Sequence, residues 1–375
     1  MGDAYIKGSY TTEEAKNAAA LNFPVLTDIV PPVDQEGYLL ISTPRQFVTY
    51  RALAMEYDPA IKARLMNDID MTGIGMQPFG NYTVGTNDQG INYKGTLDGQ
   101  GHALENVCIR FLGGRGCALF YELENATIKN LRLTGEYYAD MQRMGGLTRY
   151  TSGATTIQNC EIAVTLYNSI TADATSGGIT GCSRGGGPVN IKDCIVNCTV
   201  IAPNANCFGG VCGWRDGTLN LTNVLILSQY QTTAEPSSYP GDVIARNGCN
   251  INNVYYAERS LVPGASSRGE KVTDKQLSGG EVCYSLNNGR EGSEAVWFQT
   301  LGQDANPVLD NTHMAVLYDV QNGYHNPADD PDAIVRPAGN ASGPVRGTMY
   351  NVAGQRVSKA QPGIYIVDGK KLLVK

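Results

Sequence analysis

The chain has 375 residues, a formal charge of -7, 17% charged residues and 44 glycines. The acidic balance, with no Lys/Arg cluster to offset it, excludes a non-specific nucleic-acid surface. No apolar run approaches the roughly 18 residues that cross a bilayer, and the Gly- and Asn-rich make-up is that of turn-rich β structure.

Residues 1–35 say little. Met1-Gly2-Asp3 is not followed by the basic and apolar segments of a signal peptide, although an exported chain whose signal had been removed would read the same way. Residues 12–21 suit a short helix, and Pro24, Pro31 and Pro32 end regular structure. Tyr38-Leu39-Leu40-Ile41 reads as a strand. Thr43 then supplies an N-cap, Pro44 the first helical position and Gln46 the third, which predicts a helix to about Glu56. Its Phe47, Leu53 and Ala54 would face a core, and the helix would cover strand edges that otherwise template aggregation. Residues 63–66 and 69–71 read as the next strand, followed by a Gly/Asn loop over 72–92.

Beyond it one phrase recurs. It reads Leu104-Glu105-Asn106-Val107, Ile128-Lys129-Asn130-Leu131, Ile157-Gln158-Asn159-Cys160, Ile191-Lys192-Asp193-Cys194, Leu221-Thr222-Asn223-Val224 and Ile251-Asn252-Asn253-Val254. The steps are 24, 29, 34, 30 and 30 residues. Between the copies lie Gly145-Gly146-Leu147, Gly177-Gly178-Ile179 and Gly209-Gly210-Val211, with Ala118-Leu119-Phe120 and Asp242-Val243-Ile244 as degenerate versions. Such a period signals a solenoid whose core exists only when repeats stack. Each repeat offers at least two short apolar strands and no stretch fit for a crossover helix. The economical solution is a parallel β-coil in which each strand pairs with its counterpart one turn on. The recurring Asn/Asp then reads as a stacked turn residue, and Cys160 and Cys194 as small interior side chains.

After Glu258 the period lapses. Residues 282–287, Trp297 and its neighbours, and 306–310 read as strand, turn and strand, forming an end-cap. Residues 324–341 have the composition of a linker. Residues 348–357, 363–367 and 371–374 alternate as three short strands with turns at Ala353-Gly354 and Asp368-Gly369, a small β-meander.

Ile69-Asp70-Met71, then Gly95-Thr96-Leu97-Asp98-Gly99-Gln100-Gly101-His102, then the Gly-Gly-apolar phrases resemble the β-helix proteins of the pectin-lyase-like superfamily. The closer likeness is to cell-surface proteins of gut Bacteroidetes with Gly-Leu-rich (GLUG-like) repeats, over roughly residues 36–260. The block after Glu258 resembles one that follows the coil in such proteins, and the tail is similar to their sorting-type modules. The resemblance implies an all-β fold: a right-handed single-stranded parallel β-helix with an N-terminal helical cap and a small C-terminal β-meander. It also implies export to the cell surface or beyond. The expected domains are an N-terminal extension (1–35), the capped β-helix (36–285), a C-terminal cap and linker (286–340) and the β-module (341–375).

Enzymes of that superfamily use either acidic calcium ligands with a basic residue, or paired aspartates that protonate a leaving oxygen and activate water. No Asp pair falls in the coil, and Asp329-Asp330 sits in the linker. Asp140, Asp173, Arg184, Arg215 and Asp216 are the set that would serve a polysaccharide lyase or glycoside hydrolase. Calcium at Asp140 and Asp173 is the one cofactor in view. The remaining coil-turn acids, Asp193 and Asp242, read as turn residues. The ten cysteines lack zinc spacing, while Cys207 and Cys212 are candidates for a disulfide in an exported chain. His102 reads as ordering a tight turn; His313 and His325 lie outside the coil. Gly99-Gln100-Gly101 precedes no helix, which removes a dinucleotide site.

One strip stands out. Tyr150, Cys182 and Trp214 fall at equivalent positions after the Gly-Gly phrases, with Arg184, Arg215, Asp216 and Arg246 in or beside the corresponding turns. Successive rungs are about 4.8 Å apart. An aromatic and guanidinium strip at that spacing suits a glycan chain. The sequence thus points to a non-catalytic cell-surface protein for adhesion or glycan contact, its partner an extracellular glycan or host surface component. A lyase or glycosidase of the same fold is the alternative, and a purely architectural surface protein the third reading. Oligomeric state is not legible.

Overall fold

The computed structural model describes residues 29–80, 91–111, 117–140, 142–170, 175–202, 207–231, 241, 243–246, 248–260, 268–327, 334–335, 349–351, 355–357, 363–367 and 370–374. The helix expected over 12–21 lies outside them. The chain forms two compact units, Met1–Val272 and Thr273–Lys375.

The first unit is a parallel β-solenoid. Its opening strands, Tyr38–Ile41 and Lys62–Leu65, pair in parallel, and the helix Pro44–Glu56 connects them. Thr43 Oγ1 accepts from Gln46 N, while Gln46 Oε1 accepts from Ser42 N at 2.7 Å, so two otherwise orphaned amides are satisfied at the helix start. Phe47 and Ala54 are fully buried as expected, joined by Tyr50, and Leu53 packs against the same core.

A full turn of the coil holds four extended segments, exemplified by Arg143–Gly145, Thr148–Ser152, Thr156–Gln158 and Glu161–Asn168. Each stacks in register on its counterparts. Leu97, Ile128, Ile157, Ile191, Leu221 and Ile251 form one file. Ile69, Leu104, Leu133, Ile162, Val196, Ile226 and Tyr256 form a second, buried throughout. The apolar residues of the Gly-Gly phrases form a third inward row, with Leu147 N donating to Ile179 O, Ile179 N to Val211 O and Val211 N to Val243 O. The glycines mark where backbones come too close for a side chain. A Cβ on Gly177 would lie 2.2 Å from Thr180 O and 2.8 Å from Cys212 Cα. Asp242 lies outside the described residues.

Asn130, Asn159, Asp193, Asn223 and Asn253 all take left-handed backbone angles, φ 50–58°. Asn and Asp tolerate that region better than other side chains, which explains why the turn recruits them. Their amides also link the rungs: Asn159 Nδ2 donates to Asn130 Oδ1 at 2.8 Å, Asn223 to Asp193 at 3.0 Å and Asn253 to Asn223 at 2.9 Å. The ladder starts at Asp98, which accepts from Asn130 Nδ2 at 2.9 Å. Asn106 does not belong to it. Leu104 pairs with Leu133 in the neighbouring file, a register shift follows, and Asn106 Nδ2 bonds Asp70 Oδ1 at 2.9 Å. The anomalous 24-residue step from Asn106 to Asn130 is therefore a bulge that mimics the phrase rather than a rung.

Cys160 and Cys194 are buried interior side chains, as expected. The candidate disulfide between Cys207 and Cys212 does not form: Cys212 is a free, fully buried thiol 3.1 Å from Trp214 O, because its strand points it into the core.

In the second unit residues 282–287 are not a strand. They lie in the helix Glu281–Asn287, whose Val282, Cys283 and Leu286 are buried, preceded by Asp274–Ser278 with a Thr273/Gln276 capping box. Residues i and i+4 of one helical face carry the burial, a spacing that a period-two reading misses. Trp297 is fully buried, and Asn287 holds its backbone: Oδ1 accepts from Val296 N and Trp297 N, and Nδ2 donates to Trp297 O. Phe298 bridges Val308 in antiparallel fashion. The stretch read as a linker contains strand residues at Gly323–His325 and Ile334–Val335; Asp329-Asp330 is outside the described residues. The C-terminal module is an antiparallel meander of Met349–Asn351, Arg356–Val357, Gly363–Val367 and Lys370–Val374, with Ile334–Val335 added in parallel. Its turn residues Ala353-Gly354 and Asp368-Gly369 are outside the described set.

Candidate functional site

The strands Phe120–Glu124, Thr148–Ser152, Thr180–Ser183, Cys212–Arg215 and Ile244–Arg246 form a parallel five-stranded sheet. Register sets Glu122, Tyr150, Cys182, Trp214 and Arg246 in one file. Ser183 pairs with Arg215, which makes Arg184 and Asp216 equivalent on successive turns. The backbone thus brings the seven strip residues together along one sheet.

The side chains depart from an open stacking platform. Tyr150 is only 1% exposed. Its hydroxyl accepts from Arg143 Nη1 at 2.6 Å and Arg149 Nη2 at 2.9 Å, and the Arg184 guanidinium lies 3.5 Å from its ring centroid. Arg149 is fully buried between this ring (4.1 Å) and Tyr121 (4.5 Å). The negative face of an aromatic ring attracts cations, and desolvation strengthens that attraction. Arg184 also pairs with buried Glu122 at 3.0 Å, whose other oxygen accepts from Ser152 Oγ at 2.6 Å. Trp214 and Arg215 are half-buried and Asp216 exposed. Arg215 Nη1 donates to Gly217 O at 2.9 Å, and the Arg143 guanidinium lies 5.6 Å from the Trp214 ring. Burial pushes the Cys182 thiol up to about 11, against the pull of Arg143, Arg184 and Arg149 and with Asp216 adding to the rise.

Glu122, Arg143 and Arg149 were not singled out from the sequence. A usable signal existed for Glu122: counting three residues on from Leu119, as from Leu147 to Tyr150, lands on it. Of the enzyme set, Asp140 follows the strand Arg132–Ala139 of the large sheet, whereas Arg184, Arg215 and Asp216 close strands of the five-stranded sheet. Asp173, and with it the paired calcium site, lies outside the described residues. No group of three His, Cys, Asp or Glu suited to a metal occurs among the described residues, and no described helix is long and apolar enough to cross a membrane.

A second charged cluster escaped sequence reasoning. Asp68 accepts from Ala103 N at 2.8 Å and lies 3.3 Å from His102 Nδ1 and 3.7 Å from Arg132 Nη2. Arg132 pairs in register with Glu161. The Ala103 amide holds the Asp68 carboxyl below its ordinary value against its burial, with Arg132 and His102 adding to the effect. Burial pushes Glu161 up, partly offset by Arg132. His102 also closes its turn, donating N–H to Gly99 O at 2.8 Å.

The chain matches no family profile and no curated protein. Among solved structures it is similar to a Bacteroides ovatus protein provisionally described as an immunoglobulin A1 protease. That likeness has 16% identity and a TM-score of 0.49, over 74% of this chain and 94% of that one.

Proposed function

We propose that this chain is an exported, non-catalytic surface protein that contacts glycans or a host surface component through the five-stranded sheet. The observation that carries the reading is the file Glu122–Tyr150–Cys182–Trp214–Arg246, where a constant backbone register sets a different residue on each rung, with the guanidinium groups of Arg143, Arg149 and Arg184 gathered around Tyr150. Trp214 is the half-buried aromatic of the file and is assigned the sugar contact. The finer affiliation with GLUG-like surface proteins, the domain limits inferred from sequence and a sorting role for the meander belong to the same proposal. A screen of the full chain against host and plant polysaccharides should show binding without products; release of oligosaccharides or unsaturated uronates above a heat-killed control would overturn it.

A second reading, glycoside hydrolysis, draws on the Asp68–His102–Arg132–Glu161 cluster. Glu161 would act as the acid and Asp68 as the charged partner. Activity that disappears in Glu161→Gln and survives in Arg184→Ala would favour it over glycan contact alone.

A further inference from the structure

We propose that the Tyr150 cluster selects glycans bearing an anionic group, a carboxylate or a sulfate, and that Arg143 is the residue that grips it. This rests on the glycan reading above and adds the charge of the ligand. The protein as a whole is acidic, with a formal charge of -7, so a polyanion gains nothing from the overall field. Around Tyr150 the balance reverses. Arg143, Arg149 and Arg184 converge on a single ring, and Glu122, the carboxylate paired with Arg184, is already engaged by Ser152 as well.

Arg143 differs from its neighbours. Arg149 is sealed in the interior and Arg184 is tied to Glu122. Arg143 is half-buried, and no carboxylate of the described residues lies within 4.0 Å of it. Its Nη1 donates to Tyr150 Oη at 2.6 Å, and its guanidinium stands 5.5 Å from the Tyr150 centroid and 5.6 Å from that of Trp214. A guanidinium carries five N–H donors in a planar fork, and a phenol oxygen takes one of them. The rest of the fork, oriented by two rings, fits a bidentate carboxylate or sulfate. The Trp214 indole beside it supplies the apolar surface for the sugar ring that bears the charge. Tyr150 acts as a positioning residue: its hydroxyl fixes Arg143 and is in turn held by Arg149 at 2.9 Å.

The test is calorimetric binding of the full chain to matched pairs: a uronate polymer and its carboxyl-reduced form, and a sulfated galactan and its desulfated form. The charged member of at least one pair should bind about tenfold tighter or more, the effect of one charge-assisted pair. Which pair shows it identifies carboxylate or sulfate. Arg143→Gln should bring that ratio close to one, with the loss falling mainly on the charged member, and Arg143→Lys should restore part of it, with unfolding midpoints confirming that both variants are folded. Equal affinity of wild type for charged and neutral members overturns the anion assignment and leaves the glycan reading standing. Binding to no member of either pair overturns the glycan reading itself. A loss in Arg143→Gln that falls equally on charged and neutral members overturns the role given to Arg143.

Discussion

Two flanks of the same coil obey one stacking rule and use it in opposite ways. Along the Asn turn the residue barely changes from rung to rung, and neither does its backbone angle, φ 50–58° from Asn130 to Asn253. Along the five-stranded sheet the register is just as strict, yet every rung carries a different residue: Glu122, Tyr150, Cys182, Trp214, Arg246. The first file is repetitive because its asparagines bond the member below: Asn159 to Asn130, Asn223 to Asp193 and Asn253 to Asn223. The second is free to vary because its side chains answer to one another laterally and to whatever approaches the sheet. In a coil, then, sameness along a file marks what joins the rungs, and variety in constant register marks where they act on something else.

The comparison breaks most visibly where backbones touch. Gly177→Val drives a side chain against Thr180 O and Cys212 Cα. It is expected to cost about 3 kcal/mol or more, read as a collapse of the urea midpoint. Next comes the repetitive file. Asn223→Ala loses an αL-tolerant residue and its bonds to Asp193 and Asn253, about 2–3 kcal/mol. Asn223→Gly, which keeps the backbone angle without strain, should recover roughly 1 kcal/mol of that. If both variants unfold at the same denaturant concentration, backbone preference is not what selects asparagine there.

The variable file should be milder toward stability. Tyr150→Phe removes the acceptor shared by Arg143 and Arg149, about 1–2 kcal/mol. Trp214→Ala should fall near 1 kcal/mol because the indole is only half-buried, while taking away glycan binding. A large loss of stability in Trp214→Ala with binding intact would reverse the roles assigned to the two residues.

Acid should reach the ladder at its first member. Burial raises the carboxyl of Asp98, but Asn130, the Gln100 amide and Lys129 together hold it below its ordinary value. A carboxyl depressed by folding stabilises fully above its unfolded value, about pH 4, and that contribution is lost as pH falls through the folded value. The thermal midpoint should therefore drop below about pH 4, less steeply in Asp98→Asn. The smallest effect runs the other way. Asn159 Oδ1 is buried without a hydrogen-bond donor among the described residues, directly below Asp193, where an acid stands between two asparagines. Asp193→Asn offers an N–H there and still accepts from Asn223, so it should stabilise by about 1 kcal/mol. An unchanged melting temperature would show that the break in the amide chain costs nothing.

Much of the coil could be read from the sequence because its inward residues recur as words: Ile-x-Asn-apolar at the turn and Gly-Gly-apolar at the corner. The same habit misled at Leu104-Glu105-Asn106-Val107, where a bulge spells the word in the wrong file. It also failed at Glu281–Asn287, where seven residues are too few for a helical period to show against a β background. The Tyr150 strip was legible as an alignment of positions but not as a buried cluster. Exposure depends on what lies over a residue, and Arg149 and Arg184 fold over Tyr150 from within two adjacent rungs. The Asp68–Glu161 cluster had no sequence signature, since its members come from different turns and share no phrase.

Of the nine cysteines whose side chains are described, seven are buried and none is paired. Burial raises Cys117 and Cys198 to about 12, and lifts Cys194, Cys212 and Cys283 well above the ordinary thiol range. A thiol held in that state is a poor nucleophile. Each is therefore a silent clock: an alkylating reagent would mark Cys194 only when its own rung lets go, and comparing the rates at Cys117, Cys160, Cys194 and Cys212 would show from which end the coil unwinds.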